Sequence, residues 1–217
     1  MHKVIEPRIL YFGTPVVLIS TCNEDGSHNL APMSSAWWLN QSCMLGMSGK
    51  SKTVENLLRE RQGVLNLPSA DMVAAVDRLA LTTGRDPVPE SKQRIGYRYE
   101  ADKFGVAGLT PLAAELVNAP LVAECPLQLE ARVEQVHGFD EQNGSIKAIE
   151  MRIVRVHIDE RLLVPGTANY IDPEKWNPLI MNFCDFFGLS GKLQPSRLEP
   201  AFYGVSAALE AASVLKI

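Results

Sequence analysis

The sequence predicts a mainly β protein, one antiparallel barrel with helical additions, on three observations. The first is "LQLEARV", where Leu127, Leu129, Ala131 and Val133 alternate with Gln128, Glu130 and Arg132 at the two-residue period of a half-buried strand. The second is the returning segment "IKAIEMRIVRVHIDERLL", whose apolar phase is odd at Ile149, Met151 and Ile153 but even at Val154, Val156 and Ile158. One way to keep a single face buried through that change is a β-bulge near 153–154, and bulges bend strands as a small barrel requires. The third is the order of elements. Several strands come early and a long hairpin late, with neither βαβ alternation nor a GxGxxG, so a dinucleotide-binding fold is not expected.

Along the chain, "TPVVLISTC" (14–22) is β-branched and aliphatic and runs into "NEDGSHN", which carries a DG turn signal. "HNLAPMSSAWWLN" and "SCMLGMSG" read as further extended segments. In "KTVENLLRERQG" the period changes: Val54, Leu57 and Leu58 share a helical face, Ser51 is a credible N-cap and Gly63 is the expected stop. "GVLNLPS" is a short strand ending at Pro68, and "ADMVAAVDRLALTTG" and "TPLAAELVNAP" read as helices. Between those two lies a polar, Pro-containing connection, 85–104, of a length that is usually functional or mobile. "DEQNGS" supplies the turn of the late hairpin, with "NGS" at 143–145 as turn rather than glycosylation signal. The tail from about 166 is aromatic-rich and ends in a short apolar helix candidate. It either packs on a partner subunit or covers its own barrel. We read residues 1–217 as a single domain with that extension.

Composition narrows the function classes. The chain has 217 residues, 46% hydrophobic and 21% charged, with a net charge of −4 and no basic run, so a nucleic-acid partner is not expected. No apolar run is long enough to span a bilayer and the N-terminus lacks a signal-peptide core, which makes a cytoplasmic protein the default. Cys22, Cys43, Cys125 and Cys184 are scattered and read as buried free thiols, and the four histidines are dispersed, so no metal site is expected.

"GMSGKSKTVENL" (46–57) raises the question of an anion. A P-loop needs a glycine where this chain has Met44, so a triphosphate cradle fails on spacing. A strand-to-helix junction remains. Unpaired first-turn N–H groups, close approach at Gly49, hydroxyls of Ser48, Ser51 and Thr53, and charge from Lys50 and Lys52 suit one phosphate monoester. A capped surface helix with two solvated lysines fits the same residues. In "NLAPMSSAWW", Pro32 cannot donate to a ladder and marks an edge or bulge, freeing backbone groups for the polar edge of a flat heterocycle. Trp37 and Trp38 point to opposite faces, so at most one faces a ligand, and core packing is the better reading of each.

Together, "GTPVVLISTCNEDGSHNLAPMSSAWW", "GMSGKSKTVENLLRERQGVLNLP" and "VAECPLQLEARVEQV" resemble the flavin reductase-like group of FMN-binding split-barrel proteins, over residues 11 to about 165. The resemblance implies a Greek-key split β-barrel, a homodimer with flavin near the subunit interface, and FMN as cofactor, FAD not being excluded by a monophosphate cradle. It places Ala31, Pro32, Met33, Ser34 and Ser35 against the isoalloxazine and ribityl chain, Ser48, Gly49, Lys50, Ser51, Lys52 and Thr53 at the phosphate, and Asn66 on a strand near the ring. Two departures stand out: "LNQSC" where many members carry Asp-Pro-Pro, and a tail only loosely family-like. The function expected is an FMN-dependent oxidoreductase using NAD(P)H, with a downstream oxygenase left open as partner. Rival readings are a non-catalytic flavin or electron-transfer protein, and a dimeric barrel binding another phosphorylated ligand. No catalytic side chain is named, since a flavin carries the redox chemistry itself. Arg85, Lys92 and Arg94 make 85–104 either a lid directed at a nicotinamide cofactor's phosphates or a solvated loop.

Overall fold

Seven strands carry the fold in the computed structural model, which describes residues 1–140 and 145–198. They are β1 (Val17–Cys22), β2 (His28–Met33), β3 (Ala36–Leu39), β4 (Ser42–Ser48), β5 (Gln62–Leu67), β6 (Leu127–Phe139) and β7 (Ile146–Ile158). They form one antiparallel sheet in the order β2-β1-β5-β6-β7-β4-β3. Its two edges, β2 and β3, are consecutive in the chain and joined only through Ser34 and Ser35. Two residues reach roughly 7 Å at full extension, so the edges lie close and the sheet must curl. Because β2 and β3 do not pair, the barrel is split there, and Pro32 sits on an edge strand as its missing donor requires.

The expected bulge is present. Glu130 pairs with Arg155 and Ala131 with Ile153, leaving Val154 as the extra residue, and a second shift falls between Val133 and Gln135. The barrel interior is closed by Ile19, Leu45, Leu65, Leu129, Ile149 and Met151, with Val54 and Leu57 of helix α1 (Lys52–Glu60) as the plug. A second cluster, around Leu18, Leu30, Val76, Leu79 and Phe104, packs α2 (Val73–Arg78) and a later short helix onto the outer face of β1 and β2.

Several elements differ from expectation. Helix α1 ends at Glu60, before Gly63, because Arg61 takes the left-handed cap at φ 56° and donates to Val133 O and Glu134 O, both at 2.8 Å. Gly63 lies in β5, where a Cβ would come within 2.9 Å of Leu57 Cδ2, so its lack of a side chain serves helix–strand contact. "TPLAAELVNAP" is not helical. Pro111–Leu112 is a short strand, and the N–H groups of Glu115, Leu116 and Val117 are captured by the Glu130 carboxylate at 3.0, 2.6 and 3.0 Å. The segment 85–104 is partly ordered, with a one-turn helix, α3 (Glu90–Gln93), a short strand (Arg98–Tyr99) and the start of α4 (Lys103–Ala107).

In the described part of the tail, a hairpin of Ile180–Asn182 and Asp185–Phe187 covers its own chain, with Met181 and Phe186 on the second cluster. The terminal helix candidate and most of the "DEQNGS" turn lie outside the described residues. Cys43 and Cys125 are buried, and burial pushes the Cys43 thiol up to about 12, but Cys184 is exposed at the tail hairpin's turn. Trp38 packs on the barrel core, whereas Trp37 is 58% exposed. No described helix is long and apolar enough to cross a membrane, and no described His, Cys, Asp or Glu residues form a group that could hold a metal.

Candidate functional site

The junction predicted from "GMSGKSKTVENL" is a strand end running into a capped helix. Ser51 sits in extended backbone at φ −78° and accepts from Val54 N at 3.1 Å, as an N-cap does. The charges around it are arranged differently from expectation. Lys52 Nζ is 2.6 Å from Glu55 Oε1, and Arg85 pairs with the other oxygen, so both cations are largely spent on one carboxylate. The hydrogen bond from Lys52, which outweighs burial and is helped by the charge of Arg85, holds Glu55 below the usual carboxylate range. Lys50 is exposed and offers its carbonyl to Arg85 Nε at 3.1 Å. Gly49 turns toward its own barrel, donating to Ser145 O at 2.5 Å, and a Cβ there would lie 2.9 Å from that oxygen.

Beside the junction, between the edge strand β2 and the end of β4, lies a cleft of about 650 Å³. Ala31, Pro32, Met33, Ser34, Ser35, Ser48, Ser51, Lys52 and Thr53 all line it; Gly49, Lys50 and Asn66 do not. Asn66 is fully buried in β5, donating to Leu18 O (3.0 Å) and Ser20 Oγ (3.3 Å) and accepting from Val122 N (2.8 Å). It braces two strands and a loop, with its amide committed inside the fold.

The opposite wall comes from distant parts of the chain. Val16, Val76, Leu79, Met181 and Phe186 make it apolar at one end. At the other end stand Asn29, Thr82, Thr83, Lys92 and Lys103, of which only Lys92 figured in the sequence reading, as part of a lid. Asn29 is 2% exposed; its Nδ2 donates to Thr21 Oγ1 at 3.2 Å and Thr53 Oγ1 at 3.0 Å, which leaves its Oδ1 enclosed and without a partner. Lys92 Nζ lies 3.5 Å from Thr83 Oγ1 and 4.9 Å from the centre of the Tyr97 ring, and burial, then Arg85, pushes its ammonium down. Lys103 opens helix α4 and is only 4% exposed. It has no hydrogen-bond or ion-pair partner among the described residues, and burial, reinforced by Lys92 and opposed by Glu100, pushes it down to about 8.

A buried acceptor and a buried ammonium, both unmatched and both facing one cleft, are costly unless something arrives to pair with them. Their signature in the sequence is faint. Lys103 is one charge in a polar stretch, and Asn29 is one polar residue in a strand, so neither has a period or a motif.

Residues 9–176 match the family described as the flavin reductase like domain. The chain belongs to that family. Among flavin reductase-like relatives, YdfE of Bacillus subtilis (strain 168), itself uncharacterised, is 38% identical over 86% of this chain and 89% of its own length. Flavoredoxin of Desulfovibrio vulgaris (Miyazaki F) superposes with a TM-score of 0.74 at 21% identity, covering 91% of this chain and 98% of that one. An FMN-binding protein from Thermus thermophilus gives 0.67 at 16% identity over 90% and 100% of the two chains. At these identities the two structures attest the flavin reductase-like split-barrel fold of this chain.

Proposed function

We propose that this flavin reductase-like chain binds FMN in the cleft between β2 and the start of α1 and acts as an NAD(P)H-dependent flavin oxidoreductase. The observation that carries the reading is one cleft joining an apolar wall to a basic end where Asn29 Oδ1 and Lys103 lack partners. Its volume falls in the ~300–1,000 Å³ range of small-molecule and cofactor sites. When bound, FMN supplies hydride acceptance and transfer of electrons singly or in pairs.

The protein's part is to hold and orient. Ala31, Pro32 and Met33 run along the unpaired edge of β2, where backbone groups can meet the polar rim of a flat ring, and Ser34 and Ser35 continue the lining beyond the strand. Thr53 Oγ1 accepts from Asn29, so its own proton is free for a phosphate oxygen, and Ser51, Thr83, Lys92 and Lys103 complete a seat for one dianion. Asn29 Oδ1 is placed to accept from a ligand hydroxyl. Lys50, Gly49 and Asn66 have no part in this seat. Fixed donors beside the ring stabilise negative charge that develops there on reduction.

Titration with FMN and with riboflavin, which lacks the phosphate, tests the reading. FMN is expected to bind ~100-fold tighter, and Lys92→Ala to remove at least ~10-fold of FMN affinity while riboflavin changes less than ~3-fold. Equal affinities would refute the phosphate seat, and no flavin binding would leave a barrel for another phosphorylated ligand. Flavin binding without oxidation of NADH or NADPH in the presence of FMN would favour an electron carrier.

We also propose a homodimer. Trp37 and Leu39 are 58% and 66% exposed on one face of the edge strand β3, an apolar pair that a second subunit would cover. Sedimentation should give twice the chain mass, and Trp37→Arg should shift it to the monomer. A monomeric wild type would exclude the assembly.

A further inference from the structure

A second cleft, of about 780 Å³, opens directly beyond the basic end of the first. The two share Asn29, Lys52 and Gly84. Gly84 keeps the junction open: a Cβ there would fall 2.8 Å from Asn29 Oδ1 and 3.1 Å from Lys52 Cγ. The unpartnered Asn29 Oδ1 thus sits at the threshold between the clefts, 2% exposed, which marks the threshold as a place where a ligand passes.

The charge reverses on crossing it. Glu24, Asp25, Glu55, Asp86, Glu100 and Asp102 line the second cleft, against Lys52 and Arg85, and both of those cations are paired with Glu55. Asp102 caps α4 by accepting from Gly105 N at 2.8 Å, and Glu100 accepts from Asp102 N at 3.0 Å. Glu24 and Asp86 have no hydrogen-bond or ion-pair partner among the described residues. No group among the described residues is arranged to hold a metal ion that would neutralise them.

We propose that this acidic vestibule restricts the cleft to flavin mononucleotide by repelling the second phosphate of FAD. The inference rests on the flavin reading above. The lining shared by the two clefts provides a route past Asn29 and Gly84 for a ligand whose phosphate occupies the seat formed by Thr53, Thr83, Lys92 and Lys103, and along it the adenylate half of FAD would enter among six carboxylates, of which Glu24 and Asp86 are unmatched. Like charges at such distances raise the free energy of the longer ligand while leaving the shorter one untouched, which is discrimination by a repulsive element. Sugar hydroxyls could hydrogen-bond those carboxylates, but the phosphate that must precede them could not.

Flavin-fluorescence titrations of the full chain with FMN, riboflavin and FAD decide it. Wild type is expected to bind FMN at least ~100-fold tighter than FAD, and Glu24→Gln/Asp25→Asn/Asp86→Asn to narrow that gap at least ~10-fold by strengthening FAD alone, FMN staying within ~2-fold. Salt gives a second readout of opposite signs. Between about 0.05 and 0.5 M, screening should weaken FMN on its lysines while the FAD-to-FMN gap shrinks, because the vestibule carboxylates are open to solvent. Wild-type FAD affinity within ~3-fold of FMN, or a gap that survives the triple substitution, overturns the proposal and leaves the FMN site standing. Failure to bind FMN at all removes the flavin reading and this inference with it.

Discussion

Replacing Lys103 with methionine is expected to stabilise the ligand-free protein and weaken its hold on FMN. Lys103 is buried without an ion-pair partner among the described residues, and burial, reinforced by Lys92 and only partly opposed by Glu100, drops its ammonium to about 8. Relative to an ordinary lysine, that shift corresponds to ~3 kcal/mol of folding free energy forfeited at neutral pH. The folded pKa lies below the unfolded one, so between the two the unfolded chain binds more protons. Wild-type stability should therefore rise as pH climbs from about 8 toward ~10.4, and the variant should lack that rise. Methionine keeps the length of the stem and removes the charge. Melting of the ligand-free variant should move up by roughly 6–12 °C, taking ~2–4 °C per kcal/mol for a chain of this size. FMN, deprived of one of the two lysines of its seat, should bind at least ~10-fold more weakly. In wild type, FMN affinity should also fall as pH rises through about 8, since the ligand favours the ammonium form. A variant that is less stable without ligand, yet binds FMN as before, would show that Lys103 serves the fold and not the cleft.

The second large effect is expected at Glu130. Its side chain is wholly buried, yet it meets four donors: three consecutive N–H groups from Glu115 to Val117, and His157 Nε2 at 2.6 Å. Burial alone would raise its carboxyl, but hydrogen bonds from His157 and the Glu115 and Leu116 backbone outweigh it and hold the group below its ordinary value. Glu130→Gln replaces one acceptor with an NH2 that faces donors, at a cost of ~3–5 kcal/mol, the scale for breaking a buried charged network. Denaturant unfolding at pH 7 measures it. Because the folded pKa is depressed, the wild-type contribution is full above ~4.3 and disappears as pH falls through the folded value, so the two proteins should converge in acid. A constant difference from pH 7 down to pH 3 would mean that the amide acts through packing rather than through the lost charge.

Glu130 also shows where legibility stops. The two-residue period of "LQLEARV" announced the strand, and the phase change at 153–154 announced its bulge, because both record which face meets the core. The same period assigned Gln128 and Glu130 to water, but both are buried beneath the loop 113–125. A carboxylate given four donors inside the fold has the same letter as one in solvent. The loop's apolar spacing suggested a helix for the complementary reason: nothing local says that a remote glutamate will take its N–H groups.

The cleft divides in the same way. Its near wall, Ala31 to Ser35 with Ser48, Ser51, Lys52 and Thr53, was readable because an edge proline and an N-cap leave local marks. Its far wall needs Asn29, Thr83, Lys92 and Lys103 brought together by α2, α3 and α4, and only tertiary packing does that. The charge at the junction shows the same limit. Lys52 lines the cleft but pairs with Glu55, which also takes Arg85, and Lys50 stands outside the lining with its carbonyl on Arg85.

The short bridge of Ser34 and Ser35 sets the width of the gap in the barrel. Both edges of the curled sheet are tied to its ends, so their spacing is fixed by a count of backbone units and not by which side chains fill the gap. Swapping either serine for another small residue preserves that ruler, whereas inserting one residue lengthens it by ~3.3–3.6 Å, about the thickness of an aromatic ring.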